Sequence, residues 1–599
     1  MAEQLSLHPH VRKLLRKGIA HQQAGRTERA AACYQRSLKT NPRCPQALHL
    51  MGLVAQQRGR YQEASDWLER ALALAPHDAD TLNSLAESYC SQGRIPLACQ
   101  CLQRVAELLP RSAEARNRLG KVQERLRDWA AAEASYRAAL ALEPDSPGLY
   151  RSLAGLQYQQ GVYREAVATC RRVLTLDPNH SETFTLLGNA FTDLGNWASA
   201  VEAHRQALAL TPKSAYAVFG LGYFFERKGD FDSAAESYRT VARIDPQFAD
   251  APLHLGIVHI LRGELGEAEE CFQRALVLLP DSAEARSFLG LIHLTQGRFA
   301  EGWSEYEERR NTPQFLREGR EFSQPLWKGE PLDGARILLH AEQGLGDTLH
   351  FVRYVPMVAA RGGRVVLEVP HRLRRLLAPT SGAEEVISRG EGLPQFDWQC
   401  PLLSLPGAFA TDLHSIPARL PYVFPQPAQA EAWRQKLSEN TARIGLTWAG
   451  SPLHPYDAWR SIPLEALAPL TKLEGATVYS LQMGAPAAAL KQPGSGTQGG
   501  MVDLQDEQQD FADAAAIVAN LDLVVSVDTS IAHLAGAMGK PVWILLSKAA
   551  DWRWMLERET SPWYPTARLF RQSAPGDWQA VVARVETELR KWLARARAG

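Results

Sequence analysis

The sequence of 599 residues has no excess charge of either sign, no long hydrophobic run and few cysteines. Its 66 basic side chains match its 66 acidic ones, so bulk electrostatic binding to nucleic acid or to an acidic membrane is not expected. No apolar run is long enough to cross a bilayer, and the start, MAEQLSLHPHVRKLLRKG, lacks the apolar core of a signal peptide. The eight cysteines form no CxxC pair and no zinc-binding spacing, which favours a reduced, cytoplasmic protein.

A period of 34 residues runs through the first half of the chain. Proline follows this period at Pro42, Pro76, Pro110, Pro144, Pro178, Pro212, Pro246 and Pro280. Alanine follows it at Ala30, Ala64, Ala98, Ala132, Ala166, Ala200, Ala234 and Ala268. Glycine follows it at Gly25, Gly59, Gly93, Gly161, Gly195, Gly229, Gly263 and Gly297. This spacing is typical of tetratricopeptide repeats.

Each of these three recurring positions has a physical role in a helical hairpin. The small alanine lets the two helices pack closely, glycine ends the first helix in the left-handed conformation, and proline stops the second helix. Eight repeats and a degenerate ninth, in which Gly302 replaces the alanine, predict an α-solenoid over residues 1–316 with a concave groove. We expect this groove to hold an extended or helical segment of a protein, and a passive spacer or an oligomerisation scaffold is the alternative.

After residue 310 the period stops and apolar strands alternate with helices, which predicts an α/β unit. Strands are predicted at 336–341, 364–369, 443–448, 476–482, 521–527 and 541–546. A proline-rich joint, IPARLPYVFPQPAQA, separates an acceptor-side lobe, 317–426, from a donor-side lobe, 427–599, with a cleft between them. The first helix of this unit contains Pro356 and is expected to kink there. The polar stretch KQPGSGTQGG predicts a surface loop.

The stretch VDTSIAHLAGAMGKPVWILL places an acid, hydroxyls and an imidazole between two apolar strands. Ligands of open α/β sheets bind at the carboxyl ends of strands, and a helix N-terminus there is a natural seat for a diphosphate. Thr529 and Ser530 add hydroxyl donors, and His533 lies on the same helical face as Ser530. The alternative is that Thr529 or Ser530 only caps the helix and that His533 is a buried structural histidine.

The loop EQGLGD stands between a predicted strand and a helix. The loop does not match the G-x-G-x-x-G motif of dinucleotide-binding proteins, because Leu349 takes the place of a third glycine after Gly344 and Gly346. Hydride transfer with a dinucleotide cofactor is therefore a weak alternative function. Asp347, which closes this loop, could be an ordinary helix cap, the commoner role of an aspartate at such a position.

The α/β half contains no Asp-x-Asp motif for a metal, since the one such triplet, at 78–80, falls in a repeat junction. We therefore expect metal-independent chemistry, in which a helix dipole and a cationic side chain neutralise the negative charge of a departing diphosphate. Arg460 is the candidate cation, with Lys540 behind it. The alternative is that Arg460 pairs with Asp457 on the surface.

Three blocks, EQGLGDTLHFVRYVP, GLTWAGSPLHPYDAWRSIPLEAL and VDTSIAHLAGAMGKPVWILL, resemble the signature blocks of heptosyltransferase-like glycosyltransferases, over roughly residues 322–590. With its repeats, the chain resembles bacterial proteins that join tetratricopeptide repeats to such a glycosyltransferase, some of which modify flagellin. The resemblance implies a GT-B fold of two Rossmann-like lobes, with a nucleotide-sugar donor in the C-terminal lobe. It implies that Asp347 is the base for the acceptor hydroxyl. The donor-binding residues are then Asp528, Thr529, Ser530, His533, Arg460, Gly344 and Gly346.

Together these observations predict an inverting, metal-independent glycosyltransferase that needs no cofactor. It would move a sugar from a nucleotide-sugar to a hydroxyl of a protein acceptor recruited by the repeats, with flagellin as one candidate. Two alternatives stay open. One is a lipopolysaccharide or polysaccharide transferase whose repeats dock a partner enzyme, and the other is a non-catalytic repeat scaffold with a degenerate nucleotide-sugar-binding domain.

Overall fold

The structure is a computed structural model that describes residues 8–318, 320, 322–439, 441–451, 456–491 and 500–598. The chain divides into two compact units, Met1–Gly229 and Asp230–Gly599. The division therefore falls inside the repeats, and the boundary predicted between residues 316 and 317 lies within the second unit. Most of the predicted polar loop, residues 492–499, lies outside the described residues.

The first unit consists of helical hairpins on the 34-residue period. Its helices are α1 (Pro9–Gln23), α2 (Thr27–Thr40), α3 (Pro45–Gln57), α4 (Tyr61–Leu74), α5 (Ala79–Ser91), α6 (Ile95–Leu108), α7 (Ala113–Arg125), α8 (Trp129–Leu142), α9 (Pro147–Gln159), α10 (Tyr163–Leu176), α11 (Ser181–Asp193), α12 (Trp197–Leu210) and α13 (Ala215–Lys228).

The residues of the period take the predicted places in these hairpins. Each proline of the register lies two residues beyond the second helix, as Pro42 does after α2. The register alanines are fully buried, and a Cβ on Gly18 would lie 2.3 Å from a ring carbon of Tyr34, so the paired helices touch. Gly25 has a φ of +70°, and Arg127 takes the equivalent left-handed place with a φ of +61°. The predicted repeat architecture is confirmed.

The second unit begins with the last repeat helices. These are α14 (Phe231–Ile244), α15 (Asp250–Arg262), α16 (Leu265–Leu278), α17 (Ala283–Gln296) and α18 (Phe299–Tyr306), and a short helix α19 (Pro313–Glu318) follows. In the degenerate ninth repeat a Cβ on Gly302 would lie 2.7 Å from Leu294 Cγ. The replacement of alanine by glycine therefore lets these two helices approach more closely.

The first lobe contains a sheet of four parallel strands. They are β1 (Arg336–His340), β2 (Arg364–Val369), β3 (Ala383–Ser388) and β4 (Trp398–Pro401), in the order β3-β2-β1-β4. Its helices are α20 (Leu345–Phe351), α21 (Val355–Ala360), α22 (His371–Leu377) and α23 (Leu405–Ala408).

The helix predicted to kink at Pro356 is instead two helices, α20 and α21, joined by a 3-10 turn at Val352–Tyr354. Pro356 lies in the first turn of α21. A proline is tolerated there because the N–H that it lacks would have no partner within the helix.

The second lobe contains a sheet of six parallel strands. They are β5 (Ala442–Thr447), β6 (Ala476–Ser480), β7 (Val502–Asp503), β8 (Leu523–Val527), β9 (Val542–Leu546) and β10 (Ala567–Arg571), in the order β10-β9-β8-β5-β6-β7. Its helices are α24 (Pro427–Lys436), α25 (Asp457–Arg460), α26 (Ala468–Thr471), α27 (Ala485–Ala488), α28 (Phe511–Ala519), α29 (Ser530–Ala537) and α30 (Trp578–Ala598). Further 3-10 helices lie at Glu307–Asn311, Leu402–Ser404, Leu464–Leu467, Ala489–Lys491, Gln505–Glu507 and Trp552–Trp554.

The predicted fold class, an α-solenoid followed by an α/β unit of two Rossmann-like lobes, is confirmed. One buried apolar cluster explains why the last repeats belong to the second unit. It contains Leu294 and Trp303 from the repeats together with Ile337 of the first sheet and Val524 of the second. Trp303 Nε1 also donates a hydrogen bond of 2.8 Å to the carbonyl oxygen of Thr411. Among the helices that the structure describes, none has the length and apolarity needed to span a lipid bilayer.

Candidate functional site

The two predicted motifs lie at the carboxyl edges of the two sheets and face each other. Helix α20 begins just after β1, and helix α29 begins just after β8. The helices touch at Gly346, where an added Cβ would lie 2.8 Å from His533 Cδ2 and 3.5 Å from the Cα atom of Ser530. Any side chain at residue 346 would force these helices apart, so glycine permits the contact between the lobes.

Asp347 lies in the first turn of α20 and is only partly exposed. Its Oδ2 accepts a 3.0 Å hydrogen bond from the N–H of Gly344, which is the capping contact anticipated as the alternative. Its Oδ1 accepts a second bond of 2.5 Å from Arg553 Nη2 in the other lobe. Burial raises the pKa of Asp347 above its ordinary value, although the Arg553 guanidinium opposes this rise. Asp347 is thus a cap and also one partner of an ion pair between the lobes.

Arg553 is buried between two carboxylates and two aromatic rings. It pairs with Asp347 and, at 2.8 Å, with Asp551 Oδ1, and its guanidinium lies over the rings of Phe351 and Trp552. Burial alone would lower its pKa, but the carboxylates of Asp551 and Asp347 hold it above the ordinary value. The site therefore contains a permanently charged cation that the sequence analysis did not identify.

His533 projects from α29 into the contact between the lobes. Its Nδ1 lies 2.9 Å from the Tyr564 hydroxyl, its ring stacks on Trp554, and its Nε2 is 3.8 Å from Asp528 Oδ1. Burial and then the nearby Arg553 guanidinium hold its pKa well below the ordinary value, so the imidazole is neutral at pH 7. His533 is therefore a buried histidine, as the alternative interpretation expects. It also lies beside the N-terminus of α29, the candidate binding position for a diphosphate.

The remaining residues of the VDTS turn surround the N-terminus of α29. Thr529 is the residue before the helix, and its hydroxyl bonds to Ser526 Oγ at 3.1 Å and does not cap the helix. The N–H groups of the first turn have no partner within the helix. Asp528 follows β8, and burial together with the nearby Asp551 carboxylate raises the pKa of Asp528 to about 6.

The two predicted cations lie in different places. Arg460 reaches the edge of the second sheet, where its Nε donates to Asp457 Oδ1 at 3.0 Å, and both side chains are mostly buried. Lys540 is not at this edge, because its Nζ donates to the carbonyl oxygen of Leu521, before the start of β8. Lys540 is therefore unsuited to the role of second candidate cation, because the turn after α29 returns the chain to the amino ends of the strands.

A cavity of about 420 Å³ lies between the carboxyl edge of the second sheet and the last repeat helices. Its volume falls within the range of about 300–1,000 Å³ of small-molecule sites. The wall from the second lobe carries charged side chains, Arg460, Asp528, Lys548, Asp551 and Arg571, among apolar ones such as Trp459 and Trp552. The wall from the repeats is apolar and is lined by Phe231, Ile257, Ile260, Leu261, Phe288, Leu291 and Ile292.

The structure brings together Asp347, Gly346, Ser530, His533 and Asp528, and it places Arg460 on the cavity wall. The N–H of Gly344 is held by Asp347. The sequence analysis did not identify His350, Lys548, Asp551, Arg553 and Tyr564, which the structure places at this candidate site or on the cavity wall. An available signal was the segment DWRWMLERETSPWYPTARLFRQ, which is rich in arginine and aromatic residues and begins five residues after the end of a buried strand.

Family models match both halves of the chain. Tetratricopeptide repeat models match residues 15–79, 83–147, 118–181, 185–247 and 225–292. A model described as glycosyltransferase family 9 (heptosyltransferase) matches residues 507–571. The latter range contains Asp528, His533, Arg553 and Tyr564 but not Asp347.

A curated relative is Protein FlbA of Caulobacter vibrioides, which is 28% identical over 319 residues, covering 49% of this chain and 53% of that protein. The chain thus spans about half the length of this relative. Among solved structures, a tetratricopeptide repeat protein from Parabacteroides merdae is 16% identical, with a TM-score of 0.37 over 42% of this chain and 99% of that one. Pseudomonas aeruginosa PilF is 21% identical, with a TM-score of 0.30 over 35% of this chain and 95% of that one.

The repeat models and the repeat helices agree, and the family 9 segment coincides with the second lobe around α29. The chain contains tetratricopeptide repeats in its first half, and residues 507–571 of its C-terminal α/β part match the glycosyltransferase family 9 model.

Proposed function

We propose that the protein is an inverting, metal-independent glycosyltransferase that moves a sugar from a nucleotide-sugar to a hydroxyl of a protein. The observation that carries this proposal is the contact of α20 with α29 at Gly346 and His533. This contact brings the carboxylate of Asp347 close to the N-terminus of α29. A base on one lobe then faces an anion-binding helix end on the other.

The donor's diphosphate is assigned to the start of α29. The N–H groups of the first turn, the Ser530 hydroxyl and the positive end of the helix dipole all favour an anion there. Arg460 lies at the same edge of the sheet, and Lys548 and Arg571 line the adjoining cavity, so cationic side chains face the region where charge develops. These groups supply the neutralisation that a divalent metal supplies in other transferases.

Asp347 is assigned as the base. As the acceptor oxygen attacks the anomeric carbon, its proton passes to the Asp347 carboxylate, and the bond from that carbon to the diphosphate oxygen breaks with its electron pair. Attack from the face opposite the leaving group inverts the anomeric configuration. A raised pKa suits this role, and Arg553 keeps Asp551 as a partner when Asp347 becomes neutral.

The repeats are assigned to the acceptor. Their helices α14, α15 and α17 line the apolar wall of the cavity whose other wall carries the charged side chains of Asp528 and Arg460. A polypeptide with apolar side chains beside the modified hydroxyl matches this wall, whereas the donor's sugar and phosphates match the charged side chains of the other. Flagellin is the candidate acceptor to test first.

The test uses the full chain with a panel of UDP-, GDP-, ADP- and CMP-sugars. We expect calorimetry to detect binding of one donor, slow hydrolysis of that donor, and transfer of its sugar to an acceptor protein. Absence of binding across the panel would overturn the proposal, and binding without any turnover would point to a non-catalytic sensor.

A variant of the repeat wall tests the role of the repeats. Ile260→Asn should leave donor hydrolysis unchanged while reducing transfer to protein at least tenfold. The matched control is Ile244→Asn, because Ile244 is exposed at the end of α14 and does not line the cavity. Equal transfer by both variants would instead favour repeats that dock a partner enzyme.

A further inference from the structure

One tyrosine hydroxyl lies between two buried histidines on opposite lobes. Tyr564 Oη is 2.9 Å from His350 Nδ1 on α20 and 2.9 Å from His533 Nδ1 on α29. All three side chains are buried. The tyrosine ring packs closely against the backbone of Gly536, since a Cβ added to Gly536 would lie 2.5 Å from Tyr564 Cδ1. The two helices that form the candidate site are thus connected by a single hydroxyl group.

The hydroxyl proton limits the possible hydrogen-bond arrangements of these three side chains. A hydroxyl carries one proton and two lone pairs, so it either donates to one Nδ1 and accepts from the other, or accepts from both. Burial holds the pKa of His350 and of His533 well below the ordinary value, and neighbouring arginines lower both further. Each imidazole is therefore neutral and carries one proton, either on Nδ1 or on Nε2.

The surroundings of the two Nε2 atoms distinguish the arrangements. His533 Nε2 lies 3.8 Å from Asp528 Oδ1, so a proton there faces a carboxylate and a lone pair there would face negative charge. His350 Nε2 is buried with no hydrogen-bond partner among the described residues, and the Arg353 and Arg553 charges act on this ring. A buried N–H without a hydrogen-bond partner is less favourable beside cations than a lone pair without a partner, because the N–H hydrogen is itself partly positive.

We propose that His350 Nδ1–H donates to Tyr564, that the Tyr564 hydroxyl donates to His533 Nδ1, and that His533 thereby carries its proton on Nε2 toward the N-terminal edge of α29. This inference rests on the proposed function. The Nε2–H of the neutral His533 then donates a hydrogen bond to the diphosphate of the nucleotide-sugar. Tyr564 and His350 are positioning residues, since they act only through the tautomer of His533. The first lobe thus sets the proton position of a residue in the second.

The test uses full-length protein labelled with ¹⁵N-histidine, because long-range ¹H–¹⁵N spectra distinguish the two neutral tautomers. His533→Gln assigns the His533 signals by their loss. We expect wild-type His533 to be protonated on Nε2 and Tyr564→Phe to shift part of the population to the Nδ1–H form. The matched control is Tyr354→Phe, since Tyr354 is equally buried and its hydroxyl bonds to Thr411 instead.

Titration with ADP, GDP and UDP supplies a second readout. The nucleotide that binds wild type best should bind Tyr564→Phe roughly tenfold more weakly, as expected for a misplaced donor to a charged group, and Tyr354→Phe unchanged. His533 protonated on Nδ1 in the wild type, or a His533 tautomer that Tyr564→Phe does not alter, would overturn the inference. If His533 is protonated on Nε2 but the protein binds none of the three nucleotides, the hydrogen bonds from His350 through Tyr564 to His533 are supported. That result would count against the proposed function alone.

Discussion

Asp347 and Arg553 form an ion pair of 2.5 Å between Oδ1 and Nη2, which connects helix α20 of the first lobe to the segment after β9 in the second. They are 206 residues apart in sequence. Arg553 also holds Asp551, so two carboxylates share one buried guanidinium. Burial raises the pKa of the candidate base, and a residue of the opposite lobe opposes this rise.

Asp347→Asn tests the catalytic role of this carboxylate. The amide oxygen keeps the bond from the Gly344 N–H, and Arg553 keeps Asp551, so the loss of stability should stay below about 2 kcal/mol. The amide accepts no proton, so sugar transfer should fall by roughly 10²–10⁴-fold while donor affinity persists. Transfer rates, calorimetry and melting curves on the same variant check this.

The matched control for this variant is Asp510→Asn. Asp510 also stands at a helix N-terminus, accepts backbone N–H bonds and pairs with an arginine, Arg375, but it belongs to no part of the candidate site. It should lose stability without losing transfer. Near-normal transfer by Asp347→Asn would leave Asp347 as a cap only.

Arg553→Met tests the coupling in the ion pair. Removing the cation leaves Asp347 and Asp551 as unpaired, mostly buried carboxylates, which should cost about 3–5 kcal/mol of unfolding free energy. Adding Asp347→Asn to this variant should restore part of the loss, because one of the unpaired charges disappears. Urea unfolding of the single and double variants gives the coupling free energy. Strictly additive effects would contradict the pairing.

Gly346→Ala tests the contact between the two helices. The new Cβ would lie 2.8 Å from His533 Cδ2, so α20 and α29 must separate slightly, at a cost of about 1–3 kcal/mol, and nucleotide affinity should fall. The control is Gly266→Ala in α16, where an added Cβ meets nothing within 4 Å and the change should be neutral or stabilising. A Gly346→Ala protein as stable as the control would argue against this contact.

Asp528→Asn tests the raised pKa of about 6. A carboxyl with a folded pKa above its unfolded value of about 3.9 binds more protons when folded, so stability falls as pH rises between these values. Above pH 6 the ionised group therefore costs at most about 3 kcal/mol. Asp528→Asn should melt higher than wild type at pH 7.5, with the gain shrinking toward pH 4. A gain that does not depend on pH would contradict this origin.

Truncation tests where the repeats end as a structural unit. A fragment of residues 230–599 should fold, whereas one of residues 317–599 should not, because it loses Leu294, Phe299, Trp303 and Tyr306 from the apolar cluster of the α/β lobes. Removing four large buried side chains costs several kcal/mol, which is a large part of a typical stability. Circular dichroism melting of both fragments provides the measurement. Cooperative melting of the shorter fragment would show that the lobes do not need the last hairpin.

Features set by near neighbours were predictable from the sequence. The 34-residue period, the prolines that end each second helix and the strands around VDTSIAH all depend on local packing and backbone geometry. The strands β3, β4, β7 and β10 were missed, because short segments such as WQCP and ARLFR carry a weak apolar pattern. Pro356 was predicted to bend a helix, yet a 3-10 turn before it lets the chain begin a new one.

The composition of the candidate site was decided by tertiary structure. Sequence motifs indicated Asp347 and His533 because each stands at a turn between a strand and a helix. They could not indicate that Arg553 pairs with Asp347, that Tyr564 bridges His350 and His533, or that Ile260 of a repeat lines the same cavity as Asp528. Such contacts join residues from 31 to more than 200 positions apart, and the approach of one sheet edge to another determines them. Local sequence sets which elements form, and the packing between those elements sets which side chains act together.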